Sequence, residues 1–471
     1  MDTIWQPELI AGQGPKYRAV VATIRDGIEK GALQVGDKLP PVRDLAWKLS
    51  ITPGTVARAY TILTDEGALQ AEVGRGTFVA PPRAARVFDA PIEIDVIPHS
   101  AEEDSDQYNV SLFSPHLPCV GQDKLIRHLM AEVAANPPSG IMHYPSRDSA
   151  RPARRAVLRW LEGTPLGPLG EKDIVLCHGG QNGILMILQS ILEGRKPTVL
   201  IEELAYPGFR RAAEMLRADV VPVPMDAEGI IPDALEAAVR AHDAQVLCTS
   251  PEVHNPTGGF TPVARREEIA KIARQYDVQI VEDDCYRMGV NRAPSYRMLA
   301  PERGWYVSSI AKTVTPALRL GFAIAPEGKW SILRRTAEHS FFGLATPLSD
   351  LAALLLVHPQ IDDLTRETRR AFNKYVQSAV NILGGHDLSW REDVPFLWLR
   401  LPMGWRAGAF CQAAEAVGVQ IRSAEEFVCR EARAPHAVRM AVNAGVSIGS
   451  FEAAMTRLCQ LLDNPPEQIS V

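Results

Sequence analysis

Apolar residues recur at helical spacing three times within the first 80 residues of the chain. The first stretch contains Tyr17, Val20, Val21, Ile24 and Ile28. A second stretch covers residues 42–49, and a third runs from Thr55 to about Glu66, after the short turn Ser50-Ile51-Thr52-Pro53-Gly54. Gly31 and Gly67 stand where the first and third stretches should end, and glycine is common just after a helix. The spacing predicts three short helices.

A glycine-rich tip follows the third predicted helix. Two short strand-like runs flank Gly74-Arg75-Gly76, and the second run ends at Thr77-Phe78-Val79. Such runs on both sides of glycines are typical of a β-hairpin. Three helices with a tight turn before the third, followed by a hairpin, predict a winged helix-turn-helix over residues 1–80.

The pattern changes again after this unit. Residues 81–108 combine prolines, an acidic cluster and weak periodicity, which predicts a linker. From residue 109 to residue 471, helical patterns alternate with short apolar runs, such as Ile174-Val175-Leu176, Thr198-Val199-Leu200-Ile201, Val246-Leu247-Cys248 and Gln279-Ile280-Val281. This alternation predicts an α/β domain with a mainly parallel sheet, ending in a smaller α+β lobe over residues from about 375 to 471.

The composition excludes several classes of protein. The 46% hydrophobic and 23% charged content is ordinary for a globular chain of 471 residues, and the net charge of -6 provides no general attraction to nucleic acid or acidic membranes. The seven cysteines are scattered and lack CxxC spacing, so we expect neither a disulfide framework nor a zinc site. This use of cysteine is typical of a protein in a reducing environment. No signal-peptide pattern and no run of ~20 apolar residues is present, so we expect a cytoplasmic protein without a membrane segment.

One lysine stands in a segment suited to holding a phosphorylated aldehyde. Lys312 follows Ser308-Ser309-Ile310-Ala311, and Arg319 comes later in the same segment. A lysine amine forms a Schiff base with an aldehyde, while hydroxyl groups and a guanidinium bind phosphate. A lone lysine in a turn is usually a solvated surface charge, so this interpretation depends on the motifs around it.

A set of residues across the predicted helices and hairpin forms a specific pattern. It consists of Leu39-Pro40, Arg43, Leu45-Ala46, Leu49, Thr55-Val56, Arg58-Ala59-Tyr60, Leu63, Glu66-Gly67, Gly74 and Gly76-Thr77-Phe78-Val79. The pattern resembles the winged-helix domain of GntR-family transcription regulators. The resemblance implies double-stranded operator DNA as a partner.

The same resemblance indicates which side chains contact DNA. Thr55 and Arg58 lie near the start of the third helix, which presents side chains to base edges in the major groove, and Thr52 lies just before it. We expect Arg43 to reach a phosphate, and Arg75 with Gly76 to form a wing tip that enters the minor groove. The alternative for each arginine is a solvated surface charge.

Five further segments accompany Lys312 along the large domain. They are His178-Gly179-Gly180-Gln181-Asn182-Gly183, Glu203-Leu204-Ala205-Tyr206-Pro207-Gly208, Asn255-Pro256-Thr257-Gly258, Val281-Glu282-Asp283-Asp284-Cys285-Tyr286 and Ala437-Val438-Arg439-Met440-Ala441-Val442. In this order they resemble the class I aminotransferases, which are fold-type I pyridoxal 5'-phosphate (PLP) enzymes. With the N-terminal unit, the whole chain resembles a MocR-type regulator, in which a GntR winged helix is fused to an aminotransferase-like domain.

The resemblance implies PLP as the cofactor, with no metal, and gives each motif residue a role. Lys312 would carry the Schiff base and act as the proton-transferring base. The phosphate would be bound by Gly180, Gln181, Ser309 and Arg319. Around the ring, Tyr206 would stack on its face, Asn255 and Tyr286 would hydrogen-bond the ring oxygen, and Asp283 would pair with the ring nitrogen. Arg439 would bind a substrate carboxylate. Tyr144 would reach the phosphate in a neighbouring subunit. By strand register alone, Glu282 and Asp284 remain alternatives to Asp283.

Three functions are compatible with this combination. The first is a DNA-binding regulator that senses an amino compound, which forms an external aldimine in place of Lys312 and changes how the lobes close. The second is a PLP-dependent aminotransferase acting on an amino acid, with the N-terminal unit serving regulation. A regulator that responds to PLP itself is a third possibility. The resemblance also implies a head-to-tail homodimer.

Overall fold

The computed structural model describes residues 16–65, 68–72, 76–80, 109–429 and 432–465. The chain divides into two compact units, Met1–Val96 and Ile97–Val471. The predicted linker, residues 81–108, and the predicted wing-tip residue Arg75 lie outside the described residues.

The N-terminal unit contains three helices and one antiparallel hairpin. They are α1 (Lys16–Glu29), α2 (Val42–Lys48), α3 (Pro53–Asp65), β1 (Leu69–Glu72) and β2 (Gly76–Val79). The predicted helices and hairpin are therefore confirmed. Helix α3 begins two residues before the expected Thr55. Proline suits a first helical position, because the N–H that it lacks would have no partner there and its fixed φ matches the helix.

The apolar stripes of the three helices form one core with the hairpin. Ile24, Leu45 and Val56 are fully buried, and they pack together with Leu69 and other residues of the same cluster. The Tyr60 hydroxyl donates a hydrogen bond of 2.7 Å to the carbonyl of residue 40. This bond ties α3 to the segment that precedes α2, and so fixes the two helices of the helix-turn-helix relative to each other.

The large unit alternates helices and strands along most of its length. Its helices are α4 (Gln122–Ala135), α5 (Arg151–Trp160), α6 (Gly180–Ile191), α7 (Pro207–Met215), α8 (Pro232–His242), α9 (Val263–Gln275), α10 (Tyr296–Leu299), α11 (Trp330–Phe341), α12 (Thr346–Leu355), α13 (Ile361–Leu383), α14 (Ala407–Ala416) and α15 (Ile448–Asp463). Within the described ranges, none of these helices is both long enough and apolar enough to cross a membrane.

The strands of the large unit form two main sheets. The strands are β3 (Val110–Ser111), β4 (Ile174–Cys177), β5 (Thr198–Glu202), β6 (Asp219–Val223), β7 (Met225–Asp226), β8 (Gly229–Ile230), β9 (Val246–Thr249), β10 (Gln279–Asp283), β11 (Gly304–Ser309), β12 (Gly321–Ile324), β13 (Leu388–Ser389), β14 (Phe396–Arg400), β15 (Val419–Gln420), β16 (Arg422–Ser423) and β17 (Ala437–Ala441). The larger sheet has the order β4-β12-β11-β10-β9-β5-β6, and in it only β12 runs antiparallel to its neighbours. The predicted mainly parallel α/β sheet is confirmed.

Helices cover both faces of this sheet. Alternate residues of β4 belong to two different clusters: Val175 packs in a cluster with Ile184 of α6, and Ile174 in a cluster with Leu351 of α12. Because successive strand residues point to opposite faces, each face is buried under its own helices. This explains why the strands appear in the sequence as continuous apolar runs.

The C-terminal part of the chain forms a second core. Strands β13, β14, β17 and β16 make an antiparallel sheet. This sheet packs in one cluster with residues of α13, α14 and α15. Val110 and Leu112 join the same cluster, and β3 pairs with β15 in parallel. The C-terminal lobe thus includes a segment from the very beginning of the large unit.

Candidate functional site

Most candidate residues of the large unit follow the carboxyl ends of parallel strands. Gly180 comes shortly after β4, Tyr206 after β5 and Asn255 after β9, while Asp283 and Ser309 are the last residues of β10 and β11. In an open α/β sheet these ends meet at one edge, where such folds bind their ligands. The fold therefore brings motifs that are far apart in sequence to a single place, the strand-end site, at Gly180, Tyr206, Asn255, Asp283 and Ser309.

The start of α6 and Arg319 together form a positively charged site. The helix has neither a side-chain cap nor an acidic residue in its first turn, so its first N–H groups are available to an anion. A Cβ atom added to Gly179 would lie 2.8 Å from a guanidinium nitrogen of Arg319, which shows how closely that side chain approaches the backbone before the helix. A helix N-terminus beside a guanidinium suits a phosphate group.

The three consecutive carboxylates at the end of β10 have different surroundings. Glu282 accepts a hydrogen bond of 2.7 Å from the backbone N–H of Tyr296, and Asp284 forms an ion pair of 2.6 Å with Arg287. Asp283 points to the other side of the strand, is 7% exposed, and has no ion-pair partner in the described part of the chain. Burial raises the pKa of Asp283 to about 6. These surroundings favour Asp283 over its two neighbours as the partner of a cationic ligand group.

Strand β17 carries a buried arginine to the loop that contains Asn255. Arg439 is 3% exposed. Its guanidinium donates a hydrogen bond of 2.8 Å to Asn255 Oδ1 and another of 2.8 Å to the Phe113 carbonyl. The guanidinium carbon lies 5.0 Å from the ring centroid of Phe396 and 5.5 Å from that of Phe427. Arg439 is thus held in a mostly aromatic pocket of the C-terminal lobe.

Lys312 and Tyr286 lie next to this arginine. The Lys312 Nζ atom is 5.3 Å from the centroid of the Tyr286 ring, and that ring packs edge-on against Phe396 at 5.1 Å. Burial by itself would raise the pKa of Tyr286, but the positive charges of Lys312 and Arg439 bring it below its ordinary value. The structure therefore brings Lys312, Tyr286 and Arg439 into one electrostatically coupled group.

Several buried polar atoms near this edge have no hydrogen-bond partner among the described residues. They are Asn255 Nδ2, Arg439 Nε and Gln181 Oε1. Buried polar groups are normally paired, and each one left without a partner costs roughly 1–3 kcal/mol. Two unpaired donors and one unpaired acceptor indicate that the site is built for a polar ligand.

Tyr206 and Gln181 are packed tightly around Gly208. The Gln181 side-chain amide donates a hydrogen bond of 3.0 Å to the Gly208 carbonyl. A Cβ atom added to Gly208 would lie 2.0 Å from Gln181 Oε1 and 2.1 Å from a ring carbon of Tyr206. Burial raises the pKa of the Tyr206 hydroxyl. Position 208 therefore has no room for a side chain, because the Tyr206 ring and the Gln181 side chain pack directly against the Gly208 backbone.

Tyr144 lies apart from this group within the chain. Its side chain is 85% exposed, and its ring centroid is 6.1 Å from that of Phe342, which is 70% exposed. Ile141 and Met142 beside it are also exposed. The structure of one chain does not bring Tyr144 to the strand-end site.

The sequence motifs missed two residues around Arg439. Arg422 on β16 is register-paired with Arg439, and its Nε donates a hydrogen bond of 3.1 Å to the Phe113 carbonyl. Arg422 also pairs with Glu426. Neither Arg422 nor Phe113 belongs to a local motif. The pairing of β16 with β17 brings Arg422 to the site, while Phe113 comes with the segment after β3, which pairs with β15.

The candidate DNA-binding residues of the N-terminal unit are mostly exposed. Arg43 on α2 and Arg58 on α3 are both exposed, and the Arg58 guanidinium lies 4.3 Å from the Tyr17 ring centroid. The hydroxyls of Thr52 and Thr55 are 2.9 Å apart at the start of α3. Gly76 has a φ of +122°, in the region that favours glycine, and begins β2.

Residues 118–458 match the family model "Aminotransferase class I and II", which is well over half of the chain. The chain belongs to this family. Residues 16–79 match the model "Bacterial regulatory proteins, gntR family". This family member therefore has the MocR-type architecture, in which a GntR helix-turn-helix DNA-binding domain is fused to an aminotransferase domain, as the sequence motifs indicated.

Transcriptional regulators are among the relatives of this family member, and one of them is similar to it over almost the whole chain. The uncharacterized HTH-type transcriptional regulator YdeF of Bacillus subtilis is 26% identical over 98% of this chain and 97% of its own. The HTH-type pyridoxine biosynthesis transcriptional regulator PdxR of Corynebacterium glutamicum is 28% identical over 66% of each chain. With the two domains, these relatives confirm the predicted class, a DNA-binding transcriptional regulator.

A solved structure confirms the fold of the large unit. The kynurenine aminotransferase of Pyrococcus horikoshii superposes with a TM-score of 0.67 at 20% identity, covering 77% of this chain and 92% of that protein. At this identity the likeness establishes the fold-type I aminotransferase architecture alone. An aminotransferase class I and II domain in turn implies PLP as its cofactor.

Proposed function

We propose that this regulator binds PLP at the strand-end site with Lys312 as the covalent anchor, and that it senses an amino compound that carries a carboxylate. The observation that carries the proposal is the convergence of Lys312, Asp283, Asn255 and Arg439 at one edge of the sheet, beside the anion site of α6 and Arg319. When bound, PLP supplies an aldehyde carbon that a primary amine attacks and a ring that withdraws electrons.

The residues present fit the cofactor group by group. The phosphate would bind at the start of α6, at Gly180 and Gln181, with Ser309 and Arg319. The unpaired Asn255 Nδ2 would donate a hydrogen bond to the ring oxygen, which is the partner that this buried atom lacks among the described residues. Tyr286 would donate to the same oxygen, and Tyr206 would lie against the ring face.

Asp283 would keep the ring nitrogen protonated. Its carboxyl is buried without a cationic partner in the described part of the chain, and its pKa of about 6 reflects that burial. A protonated ring nitrogen would supply the missing charge and lower the pKa of Asp283, so that the carboxylate form is stabilised at neutral pH.

Arg439 would bind the carboxylate of the effector. Its Nε atom has no hydrogen-bond partner among the described residues, and its two other nitrogens are held by Asn255 and the Phe113 carbonyl. A fixed guanidinium in an aromatic pocket binds a carboxylate strongly, since charge-assisted hydrogen bonds gain strength away from water. The ligand class is therefore an amine with a carboxylate, such as an amino acid.

The experiment that tests the proposal is a gel shift on the DNA upstream of its own gene. The apo protein, the PLP-loaded protein, and the PLP-loaded protein with a panel of amino compounds are compared. We expect one amino compound with a carboxylate to change the operator affinity, because a ligand shifts an equilibrium only if it binds the two states unequally. A response to PLP that ignores every amino compound would contradict amine sensing and favour a sensor of PLP itself.

A catalytic function is the second candidate. Lys312 would act as the base, and its Nζ lies over the Tyr286 ring at the strand-end site, where a proton-transferring group must stand. One relative is the 2-aminoadipate transaminase of Thermus thermophilus, which is 28% identical over 58% of this chain and 70% of its own. Steady turnover with an amino acid and a 2-oxoacid, without any effect on DNA binding, would support this function over sensing.

We also propose a head-to-tail homodimer, in which Tyr144 reaches the phosphate site of the partner. Support comes from the exposure of Ile141, Met142, Tyr144 and Phe342 on one chain, since adjacent exposed apolar side chains are typical of an interface. A dimeric mass in solution, together with weaker PLP retention in Tyr144→Ala, is the expected result. A monomer that retains PLP fully would contradict it.

The Arg43→Ala variant is expected to weaken operator binding about equally across DNA sequences. A phosphate contact contributes affinity without reading bases, so its loss reduces the slope of log affinity against log salt by about 0.9. The matched control is Lys30→Ala, because Lys30 is exposed and already pairs with Asp26. Fluorescence anisotropy at several salt concentrations measures both variants, and an unchanged slope for Arg43→Ala would exclude the phosphate contact.

The Gly208→Ala variant is expected to lower PLP affinity. The added Cβ overlaps both Gln181 Oε1 and the Tyr206 ring, so the ring must move from its present position. The control is Gly385→Ala, whose Cβ would meet no atom within 4 Å. PLP retention after dialysis compares the two variants, and equal retention would show that the Tyr206 ring does not contribute to cofactor binding.

A further inference from the structure

The C-terminal lobe contains a second group of potential ligand side chains, outside the strand-end site. His386 follows the end of α13, while Cys459 and Asp463 lie in the last two turns of α15. The four-residue spacing of Cys459 and Asp463 puts both side chains on one face of α15. Helix α13 packs against α15, which brings His386 to that face.

The distances within this group match those of a metal site. His386 Nε2 lies 3.4 Å from Asp463 Oδ1 and 3.7 Å from Cys459 Sγ, and this Sγ lies 3.7 Å from Asp463 Oδ2. Around a tetrahedral zinc ion with bonds of about 2.1 Å to nitrogen and oxygen and about 2.3 Å to sulfur, ligand atoms are about 3.4–3.6 Å apart. The two distances to Asp463 involve different oxygens of its carboxylate, and one ligand atom from each of the three side chains lies within 4.8 Å of the other two. A rotation of the exposed Asp463 carboxylate would bring one oxygen close to both partners, so that the three ligand atoms span one face of such a tetrahedron.

The types of ligand atom determine which cation fits. Mg²⁺ and Ca²⁺ prefer oxygen ligands, whereas a set of one imidazole, one thiolate and one carboxylate is typical of Zn²⁺. The His386 side chain is 19% exposed and that of Asp463 is 61% exposed, so an ion can enter from the Asp463 side.

We propose that His386, Cys459 and Asp463 bind one Zn²⁺ ion, with the fourth position left to water. Zinc takes cysteine as the thiolate, so binding releases the thiol proton to solvent. Without the ion, the single proton of this thiol is donated either to the carbonyl of residue 382, at 3.6 Å, or to Asp463 Oδ2, at 3.7 Å. The bound ion would join the end of α13 to the end of α15. The proposal is independent of PLP and of the effector.

The test is the metal content of the full-length protein without an affinity tag, loaded with PLP, equilibrated with Zn²⁺ and desalted. We expect about one zinc per chain in the parent protein, and loss of that zinc in Cys459→Ser and His386→Ala. The matched controls are Cys411→Ser and His358→Ala, which remove another half-buried thiol and another half-buried imidazole and should keep the zinc.

Two further measurements separate ligation from misfolding. Asp463 is exposed, so Asp463→Asn leaves the core of the lobe intact, and it should weaken zinc binding while leaving the thermal midpoint without zinc unchanged. Added Co²⁺ should produce a thiolate-to-cobalt absorption band, and this band should be absent in Cys459→Ser. The band is read from the difference spectrum against the same PLP-loaded protein without cobalt. Desalted parent protein without zinc, or zinc retained equally by Cys459→Ser and Cys411→Ser, would overturn the proposal.

Discussion

Replacing Lys312 with alanine is expected to abolish the visible absorption band of the lysine-bound cofactor. The amine of Lys312 is the group we propose to hold the PLP aldehyde carbon, and alanine has no nucleophile to replace it. PLP would then be held only by non-covalent contacts, and most of it should be lost on dialysis. Absorbance spectra and the PLP content before and after dialysis measure the effect.

The control for this variant is Lys271→Ala, which removes an exposed lysine from α9 and should keep the band. Borohydride reduction of the parent protein should fix the cofactor on the peptide that contains Lys312, as read by mass spectrometry. A normal visible band in Lys312→Ala, with the cofactor fixed on another lysine, would show that the anchor is elsewhere.

Replacing Arg439 with alanine is expected to remove the response to a carboxylated amine while leaving PLP on Lys312. Truncating one partner of a buried charge pair costs about 2–5 kcal/mol, which corresponds to an affinity loss of roughly 30-fold or more. The variant also leaves Asn255 Oδ1 and the Phe113 carbonyl without their donor, so Arg439→Lys serves as a milder second variant. Titration of the visible spectrum with the effector measures the affinity.

The sharpest control for Arg439 uses a pair of ligands. The effector is compared with the same amine lacking its carboxylate. The parent protein should prefer the carboxylated compound, and Arg439→Ala should lose this preference while responding to the plain amine about as the parent does. Equal loss for both ligands would indicate that Arg439 acts only by positioning Asn255.

Much of the fold could be predicted from local patterns. The helices α1, α2 and α3, the hairpin after them, and strands β4, β5, β9 and β10 all appear where the apolar spacing indicated. These patterns are reliable because each element buries a face whose period is set by its own backbone geometry. The start of α3 was missed by two residues, because the prediction took Pro53 as part of the turn rather than as the first helical residue.

The candidate site was predictable where its residues belong to contiguous motifs. Lys312, Asn255 and Asp283 each lie in a short segment near a strand end, so the sequence could indicate them. The choice of Asp283 over Glu282 and Asp284 gained physical support only from the structure. Glu282 accepts a hydrogen bond from the Tyr296 backbone, and Asp284 forms an ion pair with Arg287. Strand alternation by itself cannot say which face of a strand meets the ligand.

The sequence by itself determined the order of domains, the α/β class and the residues of the motif segments, because local periodicity and short motifs depend on neighbours along the chain. Only the tertiary structure decided which distant side chains meet. Arg422 reaches Arg439 through the pairing of β16 with β17, and Phe113 reaches it through the segment after β3, which pairs with β15. His386 meets Cys459 where α13 packs against α15. Such contacts depend on how whole elements pack, and no local spacing in the chain encodes that packing.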